Sequence, residues 1–269
     1  GFNMLRKHAK IEPERFYYHC DQLGMLVWQD MVNGGSPYKH WFVTYLATLM
    51  NWNHISFSDD EKHAGLLSRL DPEGKDEFRR EITETIAFLY NHPSIVVWVP
   101  FNEGWGQFDA LAACEQIRTL DSSRLIDHAS GWFDQKGGDI LSLHYYFLKL
   151  KFKPESKRAA ALTEFGGYSL SIPGHSCCKK VYGYKKFNST GALTYGYIDL
   201  IRQTILPAVK KGIGATVYTQ LSDIEEETNG IYTYDREICK IDPDTLRKWN
   251  RALKEAGECK TYADHTTDH

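Results

Sequence analysis

The sequence predicts an α/β fold of the (β/α)8 TIM barrel type, and three observations support this prediction. Seven short apolar segments with strand character alternate with helical patterns along the 269 residues, which indicates parallel strands joined by right-handed crossovers. Nearly every predicted strand ends in polar side chains, as strands do at the active face of such a barrel. No G-x-G-x-x-G loop follows an early strand, although a doubly wound nucleotide-binding sheet would require one.

The predicted strands are short and rich in β-branched or small apolar residues. The third is an apolar run of the kind found in strands that are buried on both faces. Because a closed barrel has eight strands, we expect the first strand–helix unit to be missing before Gly1. The seven predicted strands are 2–6, 25–28, 95–101, 125–128, 139–146, 159–164 and 214–221.

Helical patterns fill most of the connections between these strands. Pro13 suits the first turn of the first helix, and Gly24 suits its C-terminal end. The aromatic segment from 32 to 70 is expected to be partly helical. We expect the barrel to span 1–258, from the second strand to the eighth helix, and 259–269 to form a polar tail. The predicted helices are 13–23, 77–90, 108–120, 193–211 and 243–256.

Composition narrows the classes of partner. The net charge is −3 and the isoelectric point is about 6.4, so we expect neither a nucleic-acid partner nor an anionic membrane surface. No apolar run approaches the roughly 20 residues of a membrane helix. The six cysteines form no C-x-x-C pair, which predicts neither a zinc site nor a disulfide framework. No signal-peptide pattern opens the chain, and the localisation is left open.

Two glutamates at strand ends carry the functional prediction. Glu103 follows the third predicted strand and Glu164 follows the sixth, so we expect them to face each other across the mouth of the barrel. Glycoside hydrolysis requires such a pair, because one carboxyl group protonates the leaving oxygen while the other attacks the anomeric carbon. A separation of about 5–5.5 Å would indicate a retaining mechanism, and one near 9 Å an inverting mechanism.

These residues belong to segments that resemble the catalytic barrel of glycoside hydrolase family 2, which contains β-galactosidases, β-glucuronidases and β-mannosidases. The most specific segment is HPSIVVWVPFNEG, in which a strand, an Asn-Glu pair and a helix follow in order. The resemblance runs from the family's second barrel strand to its eighth. The other matching segments are FNMLRKH, GMLVWQD, ILSLHYY, ALTEFGG and GATVYTQLSD.

The resemblance implies a retaining exo-β-glycosidase that hydrolyses terminal β-linked sugars, with β-galactosidase activity as the first choice. It assigns Glu103 as the general acid/base and Glu164 as the nucleophile. Asn102 would hydrogen-bond the sugar 2-hydroxyl group, and Arg6 would lie beside Glu164. One tyrosine from the sixth strand of a full barrel would hydrogen-bond the nucleophile, and the sequence does not choose between two candidates, Tyr145 and Tyr146.

The chain also departs from the family pattern. The motif R-x-S-H-Y-P reads R-K-H-A-K here, so His8 matches the family's substrate-contacting histidine only approximately. Asp30 falls near a position where some β-galactosidases hold a magnesium ligand, but no histidine follows within two residues, and no metal or other cofactor is predicted. The eighth strand has Tyr218 and Gln220 where relatives often have tryptophan. Both residues are candidate substrate contacts, as are Asp30 and Tyr145. We expect the sugar platform to come from Trp105 or from the aromatic loops.

Two other classes of function remain open in the sequence. A catalytically silent carbohydrate-binding barrel is one. A metal-dependent barrel hydrolase is the other, and it would use His8, Asp30, His128 and His144. His128 and His144 are each expected to be structural, although His144 stays among the candidate substrate contacts.

Family 2 enzymes carry β-sandwich domains before the barrel. The resemblance therefore implies upstream β-sandwich domains in the same polypeptide, and weak or no turnover by this chain alone. The particular sugar and the oligomeric state are left open.

Overall fold

A computed structural model describes residues 1–53, 55, 57–146 and 150–263. They divide into two compact units. We call residues 3–144 and 155–160 the N-terminal unit; the C-terminal unit contains residues 1–2, 145–154 and the chain from 161 onward. The seven predicted strands are all present, and no described helix is long and apolar enough to cross a membrane.

The N-terminal unit contains a four-stranded sheet in the order β1-β2-β3-β4. Its three strand pairs are parallel, as the sequence predicts, with Arg6 opposite Trp28 and Trp28 opposite Val97. A register shift between Val27 and Trp28 interrupts the second pair. The strands are β1 (Met4–Lys7), β2 (Leu26–Asp30), β3 (Ile95–Val99) and β4 (Leu125–Ile126).

Three helices alternate with these strands: α1 (Glu14–Leu23), α3 (Pro72–Leu89) and α4 (Ala110–Leu120). Gly24 closes α1 in the left-handed conformation that lacks a steric penalty only for glycine. α3 begins five residues before its predicted start, since Asp71 accepts hydrogen bonds from the amides of Glu73 and Gly74 and so caps the helix. Together with β2 and β3, the helices bury a core that includes Tyr17, Phe78, Ile82, Trp98 and Phe101.

The aromatic segment between β2 and α3 is partly helical, as predicted. A π-helical turn (Trp41–Leu46) leads into α2 (Ala47–Trp52). Phe42 stacks on Phe133 with ring centroids 5.7 Å apart. Phe57 also packs against both rings, and the three belong to a second apolar cluster that contains Leu67 and Trp132. Trp41 and Tyr45 of the same segment are exposed.

The strict alternation expected of a barrel is interrupted after β4. Among the described residues, no helix lies between β4 and β5 (Ile140–Tyr145), and none lies between β5 and β6 (Ala159–Gly166). Two hydrogen bonds join β4 and the start of β6 to Asp139, the residue before β5. The Asp139 amide donates to the Ile126 oxygen, and the Ala159 amide donates to the Asp139 oxygen.

In the C-terminal unit, β6 and β7 (Ile213–Thr219) are neighbours in a sheet. The predicted helix at 193–211 is α5 (Thr190–Leu200) and α6 (Leu206–Lys210), joined by a π-helical turn (Ile201–Ile205) that ends two residues before Pro207. α7 (Pro243–Ala263) continues beyond its predicted end at 256. The predicted polar tail is thus helical to Ala263, and residues 264–269 lie outside the described part of the chain.

Candidate active site

Glu103 lies just beyond the end of β3, where the residues that follow β3 still pair with the residues that follow β4. Asn102 forms a parallel β-bridge with Ser130, and the Glu103 amide donates to the Ser130 carbonyl oxygen at 2.9 Å. Glu103 has a φ of 50°, which is unusual for a residue with a side chain. The backbone therefore turns sharply at the glutamate, directly after a strand whose residues are almost all buried.

Arg6, Asp30 and Asn102 form one hydrogen-bonded group at the ends of β1, β2 and β3. Arg6 contacts both carboxyl oxygens of Asp30, through Nε at 3.0 Å and Nη2 at 2.9 Å. Its Nη2 also donates to Asn102 Oδ1 at 2.8 Å. Arginine is only a donor, so this contact fixes the amide of Asn102 with its oxygen towards Arg6. The predicted position of Arg6 beside Glu164 stays a prediction.

The carboxyl group of Asp30 is buried and accepts hydrogen bonds from Arg6 and from the Ala9 amide. Burial raises its pKa, but the Arg6 guanidinium and a hydrogen bond from His8 outweigh burial, and the pKa lies below the usual value. His8 Nδ1 lies 3.3 Å from Asp30 Oδ2, and its side chain is 60 % exposed. Asp30 therefore acts as the anionic partner of Arg6 and His8. Contact of His8 or Asp30 with a substrate stays a prediction.

His144 contacts Glu103 directly. Its Nδ1 lies 2.7 Å from Glu103 Oε1, and its Nε2 lies 3.1 Å from the Ser130 hydroxyl oxygen. The imidazole ring packs over Gly131, where a Cβ atom would lie 2.5 Å from Nδ1. Gly131 has a φ of 85°, so both its conformation and the close approach of the ring require glycine. His144 thus belongs to the immediate surroundings of Glu103.

The four residues of the metal-dependent alternative do not gather within the described part of the chain. His8 contacts Asp30, whereas His144 contacts Glu103. His128 Nε2 accepts a hydrogen bond from the Gln135 amide at 2.9 Å and lies 3.1 Å from Asp134. The donor set that such a hydrolase would use is therefore divided among three separate groups.

Glu164 belongs to β6 in the C-terminal unit, and Tyr146 donates its hydroxyl proton to Glu164 Oε2. The same hydroxyl group lies 3.1 Å from the Thr219 hydroxyl oxygen. The Tyr146 ring stacks on Tyr184 with centroids 4.2 Å apart, which fixes its orientation. Of the two tyrosines that the sequence left open, Tyr146 is the one that contacts the glutamate.

The other predicted contacts from this unit have different surroundings. Tyr218 is 8 % exposed and packs edge-on against Phe165 and Tyr197; burial raises its pKa strongly. This environment favours a packing role for Tyr218. Gln220 donates to Glu227 at 2.8 Å and to Asn229 at 2.6 Å. A sugar contact by Tyr145, Tyr218 or Gln220 stays a prediction.

Trp105, the predicted sugar platform, lies at the edge of the second apolar cluster of the N-terminal unit. Its indole N–H donates to the Ser36 carbonyl oxygen at 3.1 Å, and its ring centroid lies 6.0 Å from that of Tyr38. The side chain is partly exposed. Its indole is therefore held in place by the loop that follows β2, while its role in sugar binding stays a prediction.

Sequence reasoning missed three residues behind Glu103. Ser142 donates to Asp127 Oδ2 at 3.0 Å and lies 3.2 Å from the Ser130 hydroxyl oxygen. Burial raises the pKa of Asp127, although Arg6 and His128 act against this rise. The sequence did offer one signal for Ser142. This residue lies two residues before His144 on the same strand, so the two side chains point to the same face.

The family model described as "Glycosyl hydrolases family 2, TIM barrel domain" matches residues 1–206. The chain belongs to this family. The match includes both Glu103 and Glu164, and it confirms the predicted fold class and the predicted resemblance.

Known relatives in this family differ in their substrates. A β-galactosidase of Leuconostoc mesenteroides is 26% identical over 277 aligned residues, which cover 97% of this chain. A β-mannosidase B of Thermothelomyces thermophilus is 32% identical over 94 residues, or 35% of this chain. The alignments cover only 24% and 8% of these two relatives. The chain thus spans about a quarter of the length of the β-galactosidase.

Solved structures share the fold. A β-D-glucuronidase of Dictyoglomus thermophilum aligns with a TM-score of 0.62 and 14% identity over 93% of this chain and 44% of its own. A family 2 β-galacturonidase of Eisenbergiella tayi aligns with a TM-score of 0.56 and 18% identity over 95% of this chain and 45% of its own. At these identities the likeness supports the fold and no particular substrate.

Proposed function

We propose that this chain is the catalytic part of a retaining exo-β-glycosidase that hydrolyses terminal β-linked sugars. The family match that includes both Glu103 and Glu164 is the observation that carries this proposal. Glu103 would be the general acid/base and Glu164 the nucleophile. The different partners of the two carboxyl groups support the assignment, since a histidine contacts Glu103 and a tyrosine hydroxyl group donates to Glu164.

In the first step, Glu164 attacks the anomeric carbon and the bond to the leaving oxygen breaks, while Glu103 gives its proton to that oxygen. The hydrogen bond from Tyr146 holds Oε2 of the Glu164 carboxylate. In the second step, Glu103 takes a proton from water, and the water oxygen replaces Glu164 on the sugar. The anomeric configuration is retained after two inversions.

Asn102 would bind the sugar 2-hydroxyl group through its amide N–H groups. This follows from the contact with Arg6, which occupies the amide oxygen and so directs the NH2 group away from the guanidinium. Asp30 fixes Arg6 in turn. Hydrogen bonds to the 2-hydroxyl group strengthen in the transition state, so Asn102 would increase kcat as well as binding.

The preferred sugar is proposed to be β-galactoside, because the β-galactosidase of Leuconostoc mesenteroides aligns over nearly the whole chain. We also propose that the chain acts within a longer polypeptide that includes upstream β-sandwich domains, since it spans only 24% of that relative. The isolated chain is then expected to show weak or no turnover. Robust turnover of nitrophenyl glycosides by the isolated chain would contradict this expectation.

A panel of nitrophenyl β-galactoside, β-glucuronide and β-mannoside, tested on the longer polypeptide, measures the activity. We expect hydrolysis of one β-glycoside and its loss in the Glu164→Gln variant. Full activity of that variant would overturn the assignment of the nucleophile. Binding of sugars without hydrolysis of any member of the panel would favour the carbohydrate-binding alternative.

A further inference from the structure

A line of hydrogen bonds leads from Glu103 into the interior of the N-terminal unit. Glu103 Oε1 lies 2.7 Å from His144 Nδ1, and His144 Nε2 lies 3.1 Å from the Ser130 hydroxyl oxygen. The Ser130 oxygen lies 3.2 Å from that of Ser142, which lies 3.0 Å from Asp127 Oδ2. We call these five residues the Glu103 chain.

The Glu103 chain joins an accessible carboxyl group to a buried one. The side chain of Glu103 is 25 % exposed, whereas that of His144 is 0 % exposed. Ser130 and Asp127 are both 0 % exposed. Ser142 is partly exposed, so the three fully buried side chains of the Glu103 chain are those of Asp127, Ser130 and His144.

Elementary hydrogen-bond chemistry fixes the sense of these hydrogen bonds. An ionised carboxylate only accepts, and a serine hydroxyl group has a single proton. With Asp127 ionised, Ser142 donates its proton to that carboxylate, so the Ser142 oxygen accepts from the Gly131 amide at 3.3 Å and from the Ser130 hydroxyl group. The Ser130 oxygen must then accept from the Nε2–H group of His144. The Nδ1 atom of a neutral imidazole with a proton on Nε2 is an acceptor, and its partner at 2.7 Å is Glu103.

We propose that Asp127, Ser142 and Ser130 are positioning residues that hold His144 in the Nε2–H tautomer, so that Nδ1 accepts a hydrogen bond from the protonated carboxyl group of Glu103. This proposal rests on the proposed function of Glu103 as the general acid. The proton stays on the Glu103 carboxyl group and is directed by Nδ1 until the leaving oxygen takes it. His144 itself gains and loses no proton in this step.

The charges around Asp127 bear on the sense of the chain, which requires its ionised form. Burial opposes this form most strongly and raises the pKa of Asp127, and Asp30 at the end of β2 acts in the same direction. Arg6 at the end of β1, His128 after β4 and the hydrogen bond from Ser142 favour the ionised form. Asp127 Oδ1 is buried and has no hydrogen-bond partner among the described residues. The hydrogen bond from Ser142 is thus the contact that couples this carboxylate to Glu103.

Nitrogen-15 NMR of labelled histidine, recorded on the 269-residue chain near neutral pH, reports the tautomer of His144 without any need for activity. A His144→Asn spectrum assigns its signals. We expect the Nε2–H tautomer to predominate in the parent chain. Ser142→Ala removes the hydroxyl group that links Ser130 to Asp127, and Asp127→Asn replaces the carboxylate by an amide that offers both a donor and an acceptor. We therefore expect the Nδ1–H tautomer of His144 to gain population in both variants.

Ser123→Ala is the matched control, because Ser123 also donates its hydroxyl proton to a buried aspartate, Asp121 at 2.6 Å, outside the Glu103 chain. We expect its spectrum to match that of the parent. A predominant Nδ1–H tautomer in the parent would overturn the proposal, and so would an imidazolium ring that carries protons on both nitrogens. The same tautomer population in the parent, Ser142→Ala and Asp127→Asn would overturn it as well. Two variants are used so that the test still stands if one of them does not fold.

Kinetics of the longer polypeptide separate this proposal from the proposed function. We expect Ser142→Ala to lower kcat about tenfold for glycosides with poor leaving groups, a part of the ~10²–10⁴-fold that a general acid supplies, and to leave dinitrophenyl glycosides nearly unchanged. Equal losses for both substrates would contradict the positioning role. If no glycoside is hydrolysed while the tautomers behave as expected, the proposed function fails and the Glu103 chain stands.

Discussion

At the scale of single residues, Glu103 and Glu164 differ in the chemistry of their partners. Glu103 contacts an imidazole nitrogen, which is able to accept a proton from a carboxyl group. Glu164 accepts a proton from the hydroxyl group of Tyr146, and hydrogen bonds of this kind favour the ionised form of a carboxyl group. The two environments therefore favour an acid at Glu103 and a nucleophile at Glu164.

Replacement of Glu103 by glutamine removes the proton donor while it keeps the size of the side chain. We expect kcat to fall by about 10²–10⁴-fold for glycosides with poor leaving groups. For dinitrophenyl glycosides, the rate of the first step should fall much less, because their leaving groups need no proton. Steady-state kinetics with a series of aryl glycosides check this prediction, and an equal loss across the series would contradict it.

Tyr146→Phe removes the hydroxyl group that donates to Glu164. Because a hydrogen bond to a charged group contributes about 1.5–3 kcal/mol, we expect kcat/KM to fall by roughly tenfold to a hundredfold. Tyr195→Phe is the control, because Tyr195 lies exposed on α5, and it should retain kcat/KM within about twofold. A larger loss in Tyr145→Phe than in Tyr146→Phe would contradict the assignment of the contact.

At the scale of elements, β3 is the strand that determines where Glu103 lies. Its Trp98 donates from the indole nitrogen to Asp121 Oδ2 at 2.9 Å. Arg124 joins the same carboxylate to the carbonyl oxygen of Ile95, at 2.6 and 2.9 Å. These contacts of Asp121 with Trp98 and Arg124 fix β3 to the turn after α4. Asn102 and Glu103 follow this strand directly, so their positions depend on it.

The Asp121 carboxylate should make stability depend on pH. Burial raises its pKa, but hydrogen bonds from Ser123, Arg124 and Trp98 outweigh burial and bring it from 3.8 to about 2. A lowered pKa stabilises the folded state above the unfolded value, by about 2 kcal/mol here, and this is lost as pH falls from about 4 to about 2.

We therefore expect Asp121→Asn to lower the free energy of unfolding by about 2 kcal/mol at pH 7, with a smaller difference from the parent below pH 4. Urea unfolding at several pH values measures it. Asp76→Asn is the control, since its ion pair with Arg79 is exposed and such pairs contribute little. A difference that is independent of pH would contradict the role of the Asp121 charge.

The elements also show how far the sequence could predict the fold. The apolar run at 95–101 predicted β3 and its first residue, Ile95, correctly, because burial on both faces leaves a clear pattern. The strand ends at Val99, two residues before the predicted end. The start of α3 was missed, since its cap depends on Asp71 and Pro72 rather than on the apolar face. The end of α7 was placed too early, because polar residues also form exposed helical turns.

At the scale of the whole molecule, family membership and the two glutamates could be predicted from local motifs, whereas the polar surroundings could not. The contact of Asp30 with Arg6 joins residues 24 positions apart, and that of His144 with Glu103 joins residues 41 positions apart. Such contacts depend on which strands are neighbours and on their register. Ser130 and Ser142 gave no motif, so the Glu103 chain required the structure.

Covalent trapping tests the central claim most directly. The longer polypeptide would be incubated with a 2-deoxy-2-fluoroglycosyl fluoride of the sugar that it hydrolyses, and its peptides analysed by mass spectrometry. We predict one fluorosugar on the peptide that contains Glu164, and no label in Glu164→Gln. A label on the peptide that contains Glu103, or hydrolysis with inversion and no trapped intermediate, would contradict the account.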